Sequence, residues 1–142
     1  MIKWWWQLET VATPKGDDSF SPKGAGKAGK WVDEAGHIIW PPNRGFAGEP
    51  KSTFLETGSR VDRYGYEGGT FVSPEGTPYL NRSLAPGTDL QPYNVYEVVK
   101  PVEVQAGEIA PWFDQPGGGL QYEFSKPINE LIEDGTLRRV GP

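Results

Sequence analysis

The sequence predicts an α+β protein: a β-rich single domain with a small twisted sheet at its core and few short helices. Three observations lead there. A length of 142 residues suffices for one core and falls short of two. The 19 glycines and 14 prolines cut the chain into short pieces joined by turns, and a 13% aromatic content supplies large rings where the hydrophobic share is only 36%. Period-two alternation recurs along the chain, whereas helical spacing occurs once.

The elements follow in order. Residues 1–30 form an N-terminal extension and a Gly/Lys-rich linker, because Thr13 to Lys30 is poor in apolar anchors. The folded domain is expected over 31–142. Trp31-Val32 and His37-Ile-Ile-Trp40 flank Asp33-Glu-Ala-Gly36 as two extended pieces around a turn, which Pro41-Pro42 stops. Arg60–Tyr66 alternates as a half-buried strand, with Val61 and Arg63 on one face and Asp62 and Tyr64 on the other. Thr70-Phe-Val72 is the next strand. Asn94–Lys100 is the clearest one, and it continues beyond Pro101 into Val102-Glu-Val104 with an edge or a break at the proline. Leu120–Phe124 alternates again, placing Gln121 and Glu123 on one face. Pro127 starts the single helix, Ile128, Leu131 and Ile132 give it an apolar side, and Gly135 ends it before a last strand from Leu137 to Val140.

One segment stands apart: Ile109-Ala-Pro-Trp-Phe-Asp-Gln115-Pro-Gly-Gly-Gly119-Leu-Gln121-Tyr122. Three consecutive glycines lose much backbone entropy on ordering, so they imply a conformation closed to other residues or a close main-chain approach to a ligand. A plain surface turn is the alternative.

Composition excludes several classes. A formal charge of −5 argues against a general nucleic-acid binder, which relies on basic faces to displace counterions. The absence of cysteine removes disulfides, thiolate nucleophiles and cysteine-ligated zinc, and the lone His37 removes sites that need two histidines, so no metal site is expected. No apolar run approaches the ~20 residues of a membrane helix. Met1-Ile-Lys-Trp-Trp-Trp6 is too short and aromatic for a signal peptide, so export would rely on another segment or machine. Gly24-Ala-Gly-Lys-Ala-Gly29 has the spacing of a dinucleotide fingerprint but neither follows a strand nor opens a helix. No Gly-x-Ser-x-Gly accompanies His37, and no carboxylate pair stands out by spacing.

Among residues able to do chemistry, Arg63 and Arg82 offer forked donors matched to phosphate oxygens. Each could instead pair with a carboxylate, Asp62 and Glu75 being near in sequence. Phe46 and Phe71 could stack on a ring or belong to the core.

The ordered motifs Trp40-Pro-Pro-Asn-Arg-Gly-Phe46, Val61-Asp-Arg-Tyr-Gly65, Phe71-Val-Ser-Pro-Glu-Gly-Thr-Pro78, Arg82-Ser-Leu84, Tyr93-Asn-Val-Tyr96, Val99-Lys-Pro101, Ile109-Ala-Pro111 and Gln115-Pro-Gly-Gly-Gly-Leu-Gln-Tyr122 resemble the TNT domain, named for the tuberculosis necrotizing toxin. The resemblance runs from about Trp31 to Val140. It implies a fold distantly similar to ADP-ribosyltransferases and an NAD(P)+ glycohydrolase, with NAD+ and NADP+ as substrates and no further cofactor. It also implies a secreted effector that acts in the target-cell cytoplasm and a cognate immunity protein in the producer; fungal surface enzymes share the domain.

By the same resemblance Gln121 is the active-site glutamine, with Gln115 the alternative. Arg63, counted with Gln121 as catalytic, and Arg82 bind phosphates, and Phe46 and Phe71 pack on the dinucleotide. Asn94 stands where some members place histidine, which leaves it a hydrogen-bonding role. Two further readings remain open. Gln121-Tyr-Glu123 has the Gln-x-Glu form of a mono-ADP-ribosyltransferase, and a dinucleotide-binding module without turnover would carry the same aromatics.

Overall fold

The computed structural model describes residues 30–141; the expectations for residues 1–29, including Trp4 to Trp6 and the glycine-lysine linker, lie outside it. Seven strands form one antiparallel sheet: β1 Lys51–Leu55, β2 Arg60–Tyr64, β3 Phe71–Pro74, β4 Tyr93–Val98, β5 Val102–Glu108, β6 Leu120–Glu123 and β7 Leu137–Gly141. Their spatial order is β1-β5-β6-β3-β2-β4-β7. Helix α1, Ile128–Glu133, lies between β6 and β7, and 3-10 turns occur at Asn43–Gly45, Tyr79–Asn81 and Thr88–Leu90. The β-rich α+β architecture anticipated from alternation is therefore the one adopted.

One face of the sheet carries the core. Val61, Val72, Tyr96, Val98, Val104 and Phe124 meet Ile128 and Leu131 of α1 and Leu137 of β7. Ile128, Tyr96 and Val98 are completely buried, so the short helix is held by this apolar contact and not by its own length. Pro127 sits just before the helix as its N-cap, with extended ψ of 151°. The expected break at Pro101 is present, since β4 ends at Val98 and β5 begins at Val102.

Two strands differ from the alternation pattern. In β1 only Leu55 is buried; its pairing to β5, from Lys51 opposite Ala106 to Leu55 opposite Val102, is a main-chain ladder that leaves no two-residue hydrophobic period. β5 runs on to Glu108 through the polar and small residues Gln105, Ala106 and Gly107. Gly107 is required there, because a Cβ would stand 2.9 Å from the Phe46 ring. Before β1, the extended pieces at residues 31–40 reduce to a single bridge between Val32 and Ile38.

That N-terminal stretch docks on a hairpin. Trp112 and Gln115 exchange both main-chain hydrogen bonds around Phe113 and Asp114, which have φ of 55° and 60°. Two left-handed, non-glycine residues form the mirror-image turn that suits a tight hairpin. Aromatic contacts hold it. The Phe113 ring lies 5.4 Å from that of Trp31 and 6.1 Å from that of Trp40, and Trp31 also packs on Trp112 at 5.2 Å. Asp114 accepts from the Trp31 indole and from Lys30.

The glycine triplet is closed by the protein's own main chain. Gly117 has φ of 64°, and a Cβ on it would lie 2.6 Å from the Ile109 carbonyl; a Cβ on Gly119 would lie 2.7 Å from the Asn81 carbonyl. Gly118 and Gly119 donate to those same two carbonyls. The close approach is to residues 81 and 109, and it delivers β6 at a fixed height beside β5.

Candidate active site

The sheet is split at its centre. β2 and β3 pair only at Val61 with Pro74 and Asp62 with Ser73, while β3 pairs with β6 at Phe71 with Glu123 and Val72 with Tyr122. Beyond Asp62 the two strands part, and a cleft of about 40 Å³ opens there, lined by Asp62, Arg63, Tyr64, Phe71, Val72, Ser73, Arg82, Leu84, Ile109 and Gln121. Register explains the gathering. Directly opposed residues share a face, so Gln121, Phe71, Ser73, Asp62 and Tyr64 all project from the side away from α1.

Arg63 begins on the other face, opposite Asn94, and its guanidinium binds main chain beside the split. Its Nε donates to the Tyr66 carbonyl at 2.9 Å and its Nη1 to the Phe71 carbonyl at 3.0 Å. The guanidinium thus bridges the gap where ladder hydrogen bonds have ceased. A Cβ on Gly69 would lie 2.1 Å from Nη2, so the Gly68-Gly69 loop is shaped around this side chain.

Arg82 has a different setting. It is 6% exposed and lies in an ion pair with the fully buried Asp62: Nη2 donates to Oδ2 at 2.9 Å, while Nη1 stands 2.6 Å from Oδ1 without hydrogen-bond geometry, so that oxygen accepts no hydrogen bond. Nε and Nη2 also donate to the Thr77 carbonyl, at 3.0 and 2.7 Å. Asp62 Oδ2 further accepts from the Gly76 amide and the Tyr93 hydroxyl. The carboxylate-pairing alternative describes Arg82, although its partner Asp62 comes from a strand twenty residues upstream. Burial first, and the bond to Asp62 second, push the Tyr93 phenol up to about 12. Tyr64 completes the wall, its ring 4.9 Å from the Arg82 guanidinium and in contact with Tyr79 and Tyr93.

The two glutamines separate clearly. Gln121 Nε2 donates to the Arg44 carbonyl at 3.1 Å. That acceptor cannot donate, so it fixes which end of the amide is which. Among the described residues no group donates to Gln121 Oε1, and the side chain lines the cleft. Gln115 instead donates to the Leu84 carbonyl at 2.8 Å, with its Oε1 buried and unbonded, and it does not line the cleft. It ties the hairpin to the loop after Arg82.

The remaining expected residues divide. Phe71 lines the cleft, with the Phe46 ring 6.4 Å behind it. Phe46 is 3% exposed and packs on β5, so it is a support and not an open stacking face. Asn94 lies opposite Arg63 in the β2–β4 register, on the α1 side, and does not line the cleft. Sequence reasoning missed Arg44, Tyr64 and Ser73, and it offered Asp62 as a carboxylate partner without choosing between Arg63 and Arg82. A carboxylate beside Val61 in a strand was the available signal for that pairing, because a buried charge demands a cation. Among the described residues no three carboxylate or imidazole groups cluster in a metal-binding arrangement.

A split antiparallel sheet with a carboxamide and two arginines at the split defines a small α+β protein with a polar cleft at the centre of its sheet. Residues 54–140 match the family described as tuberculosis necrotizing toxin, and the chain belongs to that family. It is 41% identical over 127 residues to the conidial surface nicotinamide adenine dinucleotide glycohydrolase nadA of Aspergillus fumigatus; the match covers 78% of this chain and 54% of that protein, so the chain spans about half the length of its curated relative. The tuberculosis necrotizing toxin solved with its immunity factor superposes with a TM-score of 0.62 at 26% identity, over 75% of this chain and 65% of that one. Rhs1-CT, solved in complex with its cognate immunity protein RhsI1, shares the fold, with a TM-score of 0.53 at 13% identity over 72% and 85% of the two chains.

Proposed function

We propose that this domain hydrolyses NAD+ at the nicotinamide–ribose bond, releasing nicotinamide and ADP-ribose, and that it accepts NADP+ as well. The observation that carries the reading is the convergence of Gln121, Arg63 and Phe71 on one cleft in a member of a family with a glycohydrolase relative.

The chemistry suits an amide. The bond from ribose C1′ to the ring nitrogen breaks with both electrons leaving on nicotinamide, which departs neutral because it began cationic. Water adds to C1′ and loses one proton to solvent. Gln121 is neutral at physiological pH and does not act as a base. Its Oε1 positions the ribose hydroxyls or the incoming water as oxocarbenium character develops. Phe71 supplies a face for the nicotinamide. Arg63 takes the pyrophosphate, exchanging carbonyl acceptors for charged ones that bind a guanidinium more strongly. Arg82, engaged by Asp62, holds the wall through which that binding is oriented.

A volume of about 40 Å³ is that of one or two waters, far below the ~300–1,000 Å³ of ligand sites. Substrate entry therefore requires the Tyr66–Phe71 and Thr77–Leu84 segments to part, with Arg63 giving up its carbonyls. Solved relatives carry immunity proteins, and a cognate immunity protein that covers this cleft is the partner we propose, for a secreted effector working in the cytoplasm of a target cell.

Incubation of the protein with NAD+ or NADP+ should release nicotinamide, and Gln121→Ala should lose most of that release. Label from the adenylate half on protein would identify a transferase instead. Calorimetric binding without product would identify a binding module.

A further inference from the structure

Gln121 and Glu123 face the same way on β6, yet both are held by a single residue outside the strand. Gln121 Nε2 donates to the Arg44 carbonyl, and Arg44 Nε donates to Glu123 Oε1 at 2.8 Å. We propose that Arg44 is the positioning residue for the Gln121 amide and that Glu123 is the anchor of Arg44, not a base in the reaction. The proposal rests on the glycohydrolase reading for its effect on turnover; the contact itself does not.

Three observations carry it. Asn43 and Arg44 have φ of 56° and 54°, a left-handed pair that side chains rarely adopt. Such a turn persists only where its surroundings hold it. Here Asn43 Nδ2 donates to the Phe46 and Gly48 carbonyls on one side, and Arg44 is tied to Glu123 on the other, with its guanidinium 5.5 Å from the Phe46 ring. The turn aims the Arg44 carbonyl at β6. An acceptor there can bond only the NH2 end of Gln121, so Oε1 is turned the other way. Glu123, drawn to Arg44, is absent from the cleft lining although alternation places it on the face of Gln121. The Gln-x-Glu pattern thus has its carboxylate engaged in supporting the turn.

The test uses Arg44→Ala, Arg44→Lys, Glu123→Ala and Glu123→Gln in the full chain. Arg44→Ala and Glu123→Ala cut the tie from opposite ends, so a folding failure in one does not decide the matter. Each should lower kcat for nicotinamide release about tenfold with KM within about twofold, the pattern of lost transition-state positioning. Arg44→Lys and Glu123→Gln, which keep a donor and an acceptor in place, should each recover at least roughly a third of the wild-type kcat. In nitrogen-15 spectra the side-chain NH2 resonances of Gln121 should shift in both alanine variants and stay near their native positions in both conservative ones. Unmoved Gln121 resonances in Arg44→Ala overturn the proposal. So does a Glu123→Gln enzyme as slow as Glu123→Ala with the acid limb of its pH profile gone, because Glu123 would then be the base. If wild-type protein releases no nicotinamide while the resonances shift as expected, the positioning stands and the glycohydrolase reading fails.

Discussion

Arg82→Met is the perturbation that best separates the two roles open to that arginine. The substitution keeps an unbranched apolar stem but leaves Asp62, 0% exposed, with only the Gly76 amide and the Tyr93 hydroxyl as donors. Removing one partner of a buried ion pair costs about 3–5 kcal/mol, since the remaining charge stays desolvated. The Thr77 carbonyl loses both of its Arg82 donors in the same step. Against a total stability of ~5–15 kcal/mol for a domain, this is a large fraction, and at ~4 °C per kcal/mol it lowers the melting midpoint by roughly 12–20 °C. Urea unfolding followed by tryptophan fluorescence measures it directly. Asp62→Asn should be costly too, and the double variant should recover about 1–3 kcal/mol relative to the sum of the singles, because they share one interaction. Nicotinamide release is measured alongside, below the midpoint of each variant. A loss of stability under about 1 kcal/mol, the scale of an exposed pair, together with abolished release would refute the argument and return Arg82 to direct phosphate binding.

Gln115→Ala should destabilise by about 1–3 kcal/mol in urea, as the Leu84 carbonyl loses its donor, while kcat falls far less than in Gln121→Ala. Gly119→Ala places a Cβ 2.7 Å from the Asn81 carbonyl and should cost about 1–3 kcal/mol by the same measurement, with release recovering on cooling below the midpoint. Tyr93 has its phenol pushed up to about 12, so folding favours the neutral form. Its contribution is complete below the ordinary tyrosine value of ~10 and is lost as pH rises through about 12. Ultraviolet titration should show tyrosinate and unfolding appearing together in that window, and Asp62→Asn should move the onset to lower pH.

Strands whose two faces differ could be read from the sequence. β2 and β6 alternate because one face meets the core under α1 and the other the cleft, and that same alternation placed Asp62 and Tyr64 opposite Arg63. The edge strand β1 was not legible, because a main-chain ladder to β5 holds it and only Leu55 reaches the core. The glycine triplet was legible as a constraint but not as to its partner: the carbonyls of Asn81 and Ile109 come from segments that no local pattern connects to residue 119.

Local periodicity by itself determined the β-rich class, and motif order carried the resemblance to the family, which in turn named Gln121, Arg63 and Phe71 as candidates. Tertiary structure alone decided that β2 and β3 part beyond Asp62, that Arg82 is engaged by a buried carboxylate, and that Asn94 lies on the far face. It also decided that Gln115 serves a loop while Gln121 opens to the cleft. A side chain's role depends on which acceptors reach it first, and those acceptors, Arg44, Thr77 and Leu84 among them, are brought to their partners only when the sheet has closed.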